Sequence, residues 1–440
     1  MASLRFALLV LWICHNGVHG QCLNKGFLCV MGVVNMTSDG GAKLRKTIDI
    51  EGEAIPIVIE KLIVSNTASG PFLQRIGAFT DGIMYRNYRD AVFQLPEGNT
   101  ISDIDINGSG MMRSFVAGLN SNLKTLSIEN GLLDRVPPTL AKMTILETLT
   151  INWCSLTGLR LDVLVENHKL ISLDLSYNKI RQIFPVTSTP RKMLSILYLH
   201  LAANQLEILD VSMFAFMPSL ERLIVSGNNI VRVEATTPVT FVNLTGFELE
   251  MNKISSMHLE NLVLPKLITF NMDENALTEI PSLSGDSFPK LKRIGMSENA
   301  LKHVDLSMFQ SFAELEGIYF THNQIESVRA TTPFVLSKLV TLSFTNNRIT
   351  SWNMSGCDFP NMYELMLNSN KLTTIPPVFQ RYTNVRLSIN ANPIQCSSMT
   401  TFLSKITEKR LFVTTVSASQ KCATSSSVTI DKNLAACCVA

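Results

Sequence analysis

The side chains of this chain most able to do chemistry are its nine cysteines and seven histidines. Zinc takes thiolates or imidazoles in close pairs, and a nucleophilic centre needs a Ser or Cys held against a base. Neither arrangement is written here. His168, His200, His258, His303 and His322 are scattered, and no H-E-x-x-H, C-x2-C or G-x-S-x-G run occurs. The glycines form no phosphate-binding loop. These residues predict no enzyme, no metal and no cofactor. A net charge of +2 predicts no field suited to nucleic acid or to a membrane surface. What remains is a set of carboxylates, Glu248, Glu250, Asp273, Glu274 and Glu298, spaced so that a period of 24 residues would bring them side by side.

That period is present. Leu220–Ile230 reads LERLIVSGNNI, with Leu220, Leu223, Val225, Asn228 and Ile230 in the frame L-x-x-L-x-L-x-x-N-x-L. From Ile101 onward the ninth position is filled in turn by Ser109, Gly131, Cys154, Asn178, Asn204, Asn228, Asn252, Asn275, Asn299, Asn323, Asn347, Asn370 and Asn392, at spacings of 22 to 26. Positions four and six of each repeat must point inward from a short strand and stack on the next turn. The ninth residue turns the chain, and a buried amide there both donates and accepts. Cys154 in this slot reads as a small buried substitute. Ile280-Pro281, Ile375-Pro376, Phe214 and Phe309 read as core filling from the return side.

The predicted fold is an α/β-type solenoid, a leucine-rich repeat horseshoe with a parallel concave sheet and an irregular or short-helical convex side, closed by disulfide-bearing caps at both ends. The solenoid is expected over residues 59–394. Ile59, Leu62 and Val64 are read as its first turn, with Thr67 in the Asn slot. Phe72, Phe79, Phe93 and Leu95-Pro96 suggest convex packing in residues 68–98, where the frame is blurred. Residues 206–281 also realign on 301–376 with a shift of 95. LDVSMF (Leu209–Phe214) matches VDLSMF (Val304–Phe309), and ATTP recurs at Ala235 and Ala330. A duplicated four-repeat block follows, and it places Cys357 in the slot of Leu262.

The ends carry the remaining signals. Arg5, the apolar run Phe6–Cys14 and small residues at Val18 and Gly20 predict a signal peptide over residues 1–20, and hence secretion. No stretch is long and apolar enough to span a membrane. Residues 21–58 read as an N-terminal cap bridged by Cys22 and Cys29. Residues 395–440 read as a C-terminal cap, opened by Asn392-Pro393-Ile394-Gln395-Cys396, with Phe402, Leu403 and Ile406 on one face of a short helix. Adjacent cysteines seldom bridge each other. Cys396 and Cys422 would then each pair with one of Cys437 and Cys438, in either arrangement, unless one of the final pair joins another chain in a disulfide-linked dimer. Asn35, Asn107, Asn243 and Asn353 begin glycosylation sequons.

The signal peptide, the N-terminal Cys pair, the repeats, the N-P-x-x-C run and the late Cys437-Cys438 pair together resemble the mosquito leucine-rich repeat immune proteins, over nearly the whole mature chain. In that family, members act in haemolymph in complement-like defence. Long members form disulfide-linked dimers through C-terminal coiled coils and carry thioester-containing proteins. With no heptads after Cys438, this chain resembles the coil-less members. The resemblance implies Cys396, Cys422, Cys437 and Cys438 as cap cysteines.

The expected function is non-enzymatic extracellular binding in innate immunity, with defence proteins or microbial surface as partners. An adhesion or signalling ligand, or a receptor fragment, is the alternative. The candidate concave face combines the acidic strip with Tyr198, His200, Tyr319 and His322, and Trp153 and Tyr177 lie further toward the N-terminus. Aromatic residues mixed with charge suit a protein-binding patch.

Overall fold

Alternating apolar residues at positions four and six form one strand per repeat, and the strands stack in parallel. The computed structural model describes residues 29–35, 57–63, 69–77, 80–187, 193–417, 420–423 and 426–440, and every structural statement below concerns these. The predicted signal peptide, Cys22, Val64, Thr67 and Phe79 lie outside them. The chain divides into two compact units, Met1–His200 and Leu201–Ala440.

In the first unit, parallel strands run at Cys29–Asn35, Ile57–Ile63, Gly82–Arg86, Asp103–Asn107, Thr125–Glu129, Thr148–Asn152, Ser172–Asp174 and Tyr198–His200. Each pairs with the next in unbroken register. Ile83, Ile104, Leu126 and Leu149 stack at position four; Tyr85, Ile106, Ile128 and Ile151 stack at position six, all buried.

This register corrects the predicted start of the solenoid. Ile57 aligns with Ile83 and Ile59 with Tyr85, so Ile59 holds the sixth position and not the first. The misplacement has a physical cause. The ninth slots of these turns fall on Leu62 and Tyr88, so no Asn marks the frame. Tyr88 is buried and closes its turn by donating its hydroxyl to the Val92 carbonyl at 2.7 Å. A sheet strand also lies within residues 21–58, because Cys29–Asn35 pairs in parallel with Ile57–Ile63. Helix α1 (Ser69–Ile76) packs Phe72 against Tyr85, which also meets Phe93.

In the second unit the parallel strands run from Arg222–Ile224 through Arg386–Ser388 and end at Leu411–Phe412. The duplicated blocks are superposable in their bonding. Asp210 accepts from the backbone N–H of Ser212 at 3.0 Å and of Thr236 at 3.3 Å; Asp305 accepts from Ser307 at 3.0 Å and Thr331 at 3.2 Å. Cys357 aligns with Phe334 as Leu262 aligns with Val239, and it is buried. Burial raises its thiol pKa to about 11, as suits a small apolar side chain.

The Asn slot works as an amide clamp. Asn299 Nδ2 donates to the carbonyls of Met272, Met296 and Ser297 at 2.9, 3.3 and 3.0 Å, and its Oδ1 accepts from the Leu277 N–H at 2.9 Å. One side chain thus satisfies backbone groups of two turns. The same set recurs at Asn323, Asn347 and Asn370. Cys154 replaces it in part: its sulfur accepts from the Gly131 N–H at 3.3 Å and lies 3.9 Å from the Ile128 carbonyl.

The C-terminal cap departs from the single expected helix. Helices α2 (Cys396–Thr400) and α3 (Leu403–Thr407) precede an antiparallel sheet in which Leu434–Cys438 lies between Thr415–Ser417 and Ser426–Thr429. Successive side chains of a strand point to opposite faces. Cys438 accordingly bridges Cys396, and Cys437 bridges Cys422. Of the arrangements left open, this is the one with both terminal cysteines buried in internal bridges, which gives the alternative of an inter-chain link no support.

Two outcomes follow from these contacts. Asn299→Ala strands buried carbonyls in two turns and should cost about 2 kcal/mol in urea denaturation. Non-reducing peptide mapping should return Cys396–Cys438 and Cys422–Cys437 from a protein that runs as a monomer on non-reducing gels; a disulfide-linked dimer would contradict the cap.

Candidate binding face

The clamp also dictates which side chains leave the sheet. At every described turn from Asn87 to Ala391, the residue before the ninth slot has a left-handed φ of 52° to 70°. It is Gly at 108 and 227, but Trp153, Tyr177, Met251, Glu274, Glu298 and His322 elsewhere. A left-handed L-residue costs roughly 1–2 kcal/mol, and the turn imposes it both before Asn slots and before Tyr88, Gly131 and Cys154. Positions five, seven and eight therefore line the open face of the sheet.

In the second unit this face carries the predicted acidic strip. Glu248 pairs with Arg222. Glu250 accepts from Asn271 Nδ2 at 2.9 Å, and Asp273 accepts from the Ser297 N–H at 2.6 Å. Gly295 makes room for this: a Cβ there would sit 2.5 Å from Asn271 Oδ1 and 3.0 Å from Asp273 Oδ1. Burial raises the Glu250 carboxyl pKa, with Glu248 and Asp273 adding to it. Burial raises that of Asp273 too, with Glu298 and Glu274 beside it. Glu274 and Glu298 are exposed. Among the described residues, Glu250, Asp273, Glu274 and Glu298 have no salt-bridge partner. A recess of about 390 Å³ opens here, lined by Arg222, Phe247, Glu248, Glu250 and Asn271.

The flanking residues are placed less compactly. Tyr319 is half-buried, and its ring lies over Gly317, where a Cβ would come within 2.8 Å of the hydroxyl. Exposed His322 meets Asn346 Nδ2 at 2.9 Å through Nε2. Tyr198 and His200 belong to the first unit, and the strip belongs to the second.

A second acidic row escaped the sequence reading. Asp105, Glu129 and Asp174 stand at positions five, seven and five of the first unit's strands. Asn107 Nδ2 donates to Glu129 Oε2 at 3.0 Å, and Asn152 Nδ2 donates to Asp174 Oδ2 at 3.0 Å. His200 Nδ1 lies 4.0 Å from Asp174 Oδ2. Burial, with Glu129 nearby, raises the Asp105 carboxyl to about 6 against the opposing pull of Ser127 and Arg86. Burial and then Asp174 raise Glu129. The signal was available in DIDIN and SIE, whose charges fall on outward positions.

The sequons differ in setting. Asn107 is committed to Glu129 and also accepts from Asn130 Nδ2 at 3.2 Å. Asn243 accepts from Lys266 at 2.8 Å, while Asn353 is exposed. Asn35 closes the strand Cys29–Asn35.

No protein-family model and no curated protein sequence matches the chain. Solved structures do. A mosquito APL1 leucine-rich repeat domain is similar with a TM-score of 0.54 and 17% identity, over 91% of this chain and 95% of that one. The mosquito LRIM1/APL1C complex gives 0.54 and 16%, over 87% of this chain and 65% of that one. TLR13 in complex with ssRNA13 gives 0.55 and 15%, over 87% and 56%. The fold is a leucine-rich repeat solenoid. At such identities the likeness extends to the fold and no further.

Asp105 gives this face a pH signature. Its folded-state pKa lies above the unfolded value, so its contribution is full below about pH 4 and is lost as pH rises through about 6. Asp105→Asn should therefore raise stability by roughly 1–2 kcal/mol at pH 7 and leave it unchanged near pH 4, as read by thermal melts at both pH values.

Proposed function

We propose that this protein is a secreted, non-enzymatic binding protein of extracellular innate defence, taking a protein partner on the open face of its sheet. The carrying observation is the uncompensated charge of that face. Glu250 and Asp273 keep company with Glu274 and Glu298 although burial and mutual repulsion disfavour their ionised forms. A local cost without a stabilising return is expected where a surface serves recognition. The resemblance to mosquito immune repeat proteins supports the defence role, and the internal disulfides of the cap suit an oxidising compartment. Among the described residues no helix is long and apolar enough to cross a membrane. Asn353 is exposed and suited to carry a glycan.

The test is capture from mosquito haemolymph with full-length tagged protein, beside Glu250→Lys/Asp273→Lys. Wild type should retain defence proteins or microbial surface material, and the reversal should reduce recovery about tenfold. Recovery of cell-surface receptors alone would favour the adhesion or signalling alternative.

A further inference from the structure

The first unit's open face differs from the second's in two respects. Its strands Asp103–Asn107, Thr125–Glu129 and Thr148–Asn152 run five residues, where those of the Asn-marked repeats run three. In the Asn repeats the amide takes the carbonyls of the sixth and seventh residues, as Asn178 takes Leu175 and Ser176 at 3.0 and 3.2 Å, and the strand ends there. With Ser109, Gly131 and Cys154 in the slot, position seven stays in the ladder, and Glu129 aligns directly with Asn152. The polar row is thereby held flat and in register.

The second difference is aromatic. Trp153 and Tyr177, at the left-handed position of consecutive turns, stack with centroids 4.1 Å apart and planes 8° from parallel. They are nevertheless 56% and 47% exposed. Large rings rigidly held in solvent beside a desolvated polar row have the make-up of an interface anchor.

Charge decides the occupant. The amide donors of Asn107 and Asn152 already point at Glu129 and Asp174. What the row still offers is acceptors: Asp105 Oδ1 and Asn152 Oδ1 are buried without a donor among the described residues. Asp105 and Glu129 have no salt-bridge partner among those residues, and Arg86 is a nearby cationic group. A group that donates several hydrogen bonds, carries positive charge and packs flat against an aromatic ring is a guanidinium.

We propose that the open face of the first unit binds an arginine-bearing segment of a protein partner, with Trp153 and Tyr177 as the stacking platform and Glu129 and Asp174 as the carboxylate acceptors. This deepens the binding reading above and rests on it.

The chain's three Trp include exposed Trp153 and buried Trp352, while Trp12 falls in the predicted signal peptide, so intrinsic fluorescence reports on this face directly. The experiment titrates full-length protein with hexa-arginine, hexa-lysine, neutral hexa-citrulline and the neutral sugar chitohexaose. Hexa-arginine should quench Trp153, hexa-lysine should bind several-fold more weakly, and the two neutral probes should not bind. By anisotropy of labelled hexa-arginine, Trp153→Ala and Glu129→Gln/Asp174→Asn should each weaken binding about tenfold. Glu260→Lys, an exposed carboxylate outside both acidic rows, should leave it unchanged, and Glu250→Lys/Asp273→Lys should weaken it less than either first-unit variant, with thermal melts confirming that each variant is folded. Wild-type affinity in Trp153→Ala, equal loss on reversal of the second unit's strip, or binding of chitohexaose in place of hexa-arginine would each overturn the proposal. The two readings fail separately. A haemolymph partner retained equally by wild type, Trp153→Ala and Glu129→Gln/Asp174→Asn sinks this site and leaves the binding role standing. Selective hexa-arginine binding without any defence partner sinks the defence role and leaves the site.

Discussion

The structure depends on the buried amide of the ninth position. A parallel stack with one short strand per turn leaves carbonyls and N–H groups facing inward wherever the chain bends out of the sheet. Water cannot reach them, and leaving them unpaired would cost about 1–3 kcal/mol each. One Asn side chain satisfies four such groups at once, in its own turn and the preceding one, as Asn299 does. The spacing near 24 residues follows, because the amide reaches only if successive turns are in register. The left-handed residue before the slot recurs with and without Asn, at Trp153 as at His322, and so belongs to the turn itself.

How far this was readable in the sequence depended on the same residue. Where Asn fills the slot, the frame, the inward positions and the return-side phenylalanines were legible, and the duplicated block correctly placed Cys357 among buried apolar residues. Where Leu62 and Tyr88 fill it, the periodic mark is lost, and alternating apolar residues around Ile59 fit more than one frame. The cap pairing was not legible for a different reason. Neighbouring cysteines differ in which face of their strand they occupy, and that face is set by the partners of Leu434–Cys438 in a sheet the repeat pattern does not encode.

The slot residue also sets the character of the face. Ser109, Gly131 and Cys154 form a set of small side chains in contact; a Cβ on Gly131 would lie 3.1 Å from Ser109 Oγ and 3.3 Å from Cys154 Sγ. Without an amide to claim the carbonyls, the strands there lengthen and carry Asn107, Glu129 and Asn152 within the ladder. Amide-carboxylate pairs then form between adjacent strands. In the second unit the strands are shorter; Glu250 keeps such a pair with Asn271, while Asp273 accepts from the backbone N–H of Ser297.

The duplicated block separates scaffold from surface within one chain. The bonds of Asp210 with Ser212 and Thr236 recur almost atom for atom at Asp305, Ser307 and Thr331, and the Asn clamps recur with them. On the open face the copies part company: Ile224 and Gly227 in one stand where Tyr319 and His322 stand in the other. The eighth position shows why such change is tolerated. Its backbone is left-handed whatever side chain it bears, so Gly227 and His322 adopt φ of 68° and 56°. The packed turn bears the conformational cost of that position, and the side chain there is free to follow the demands of a ligand.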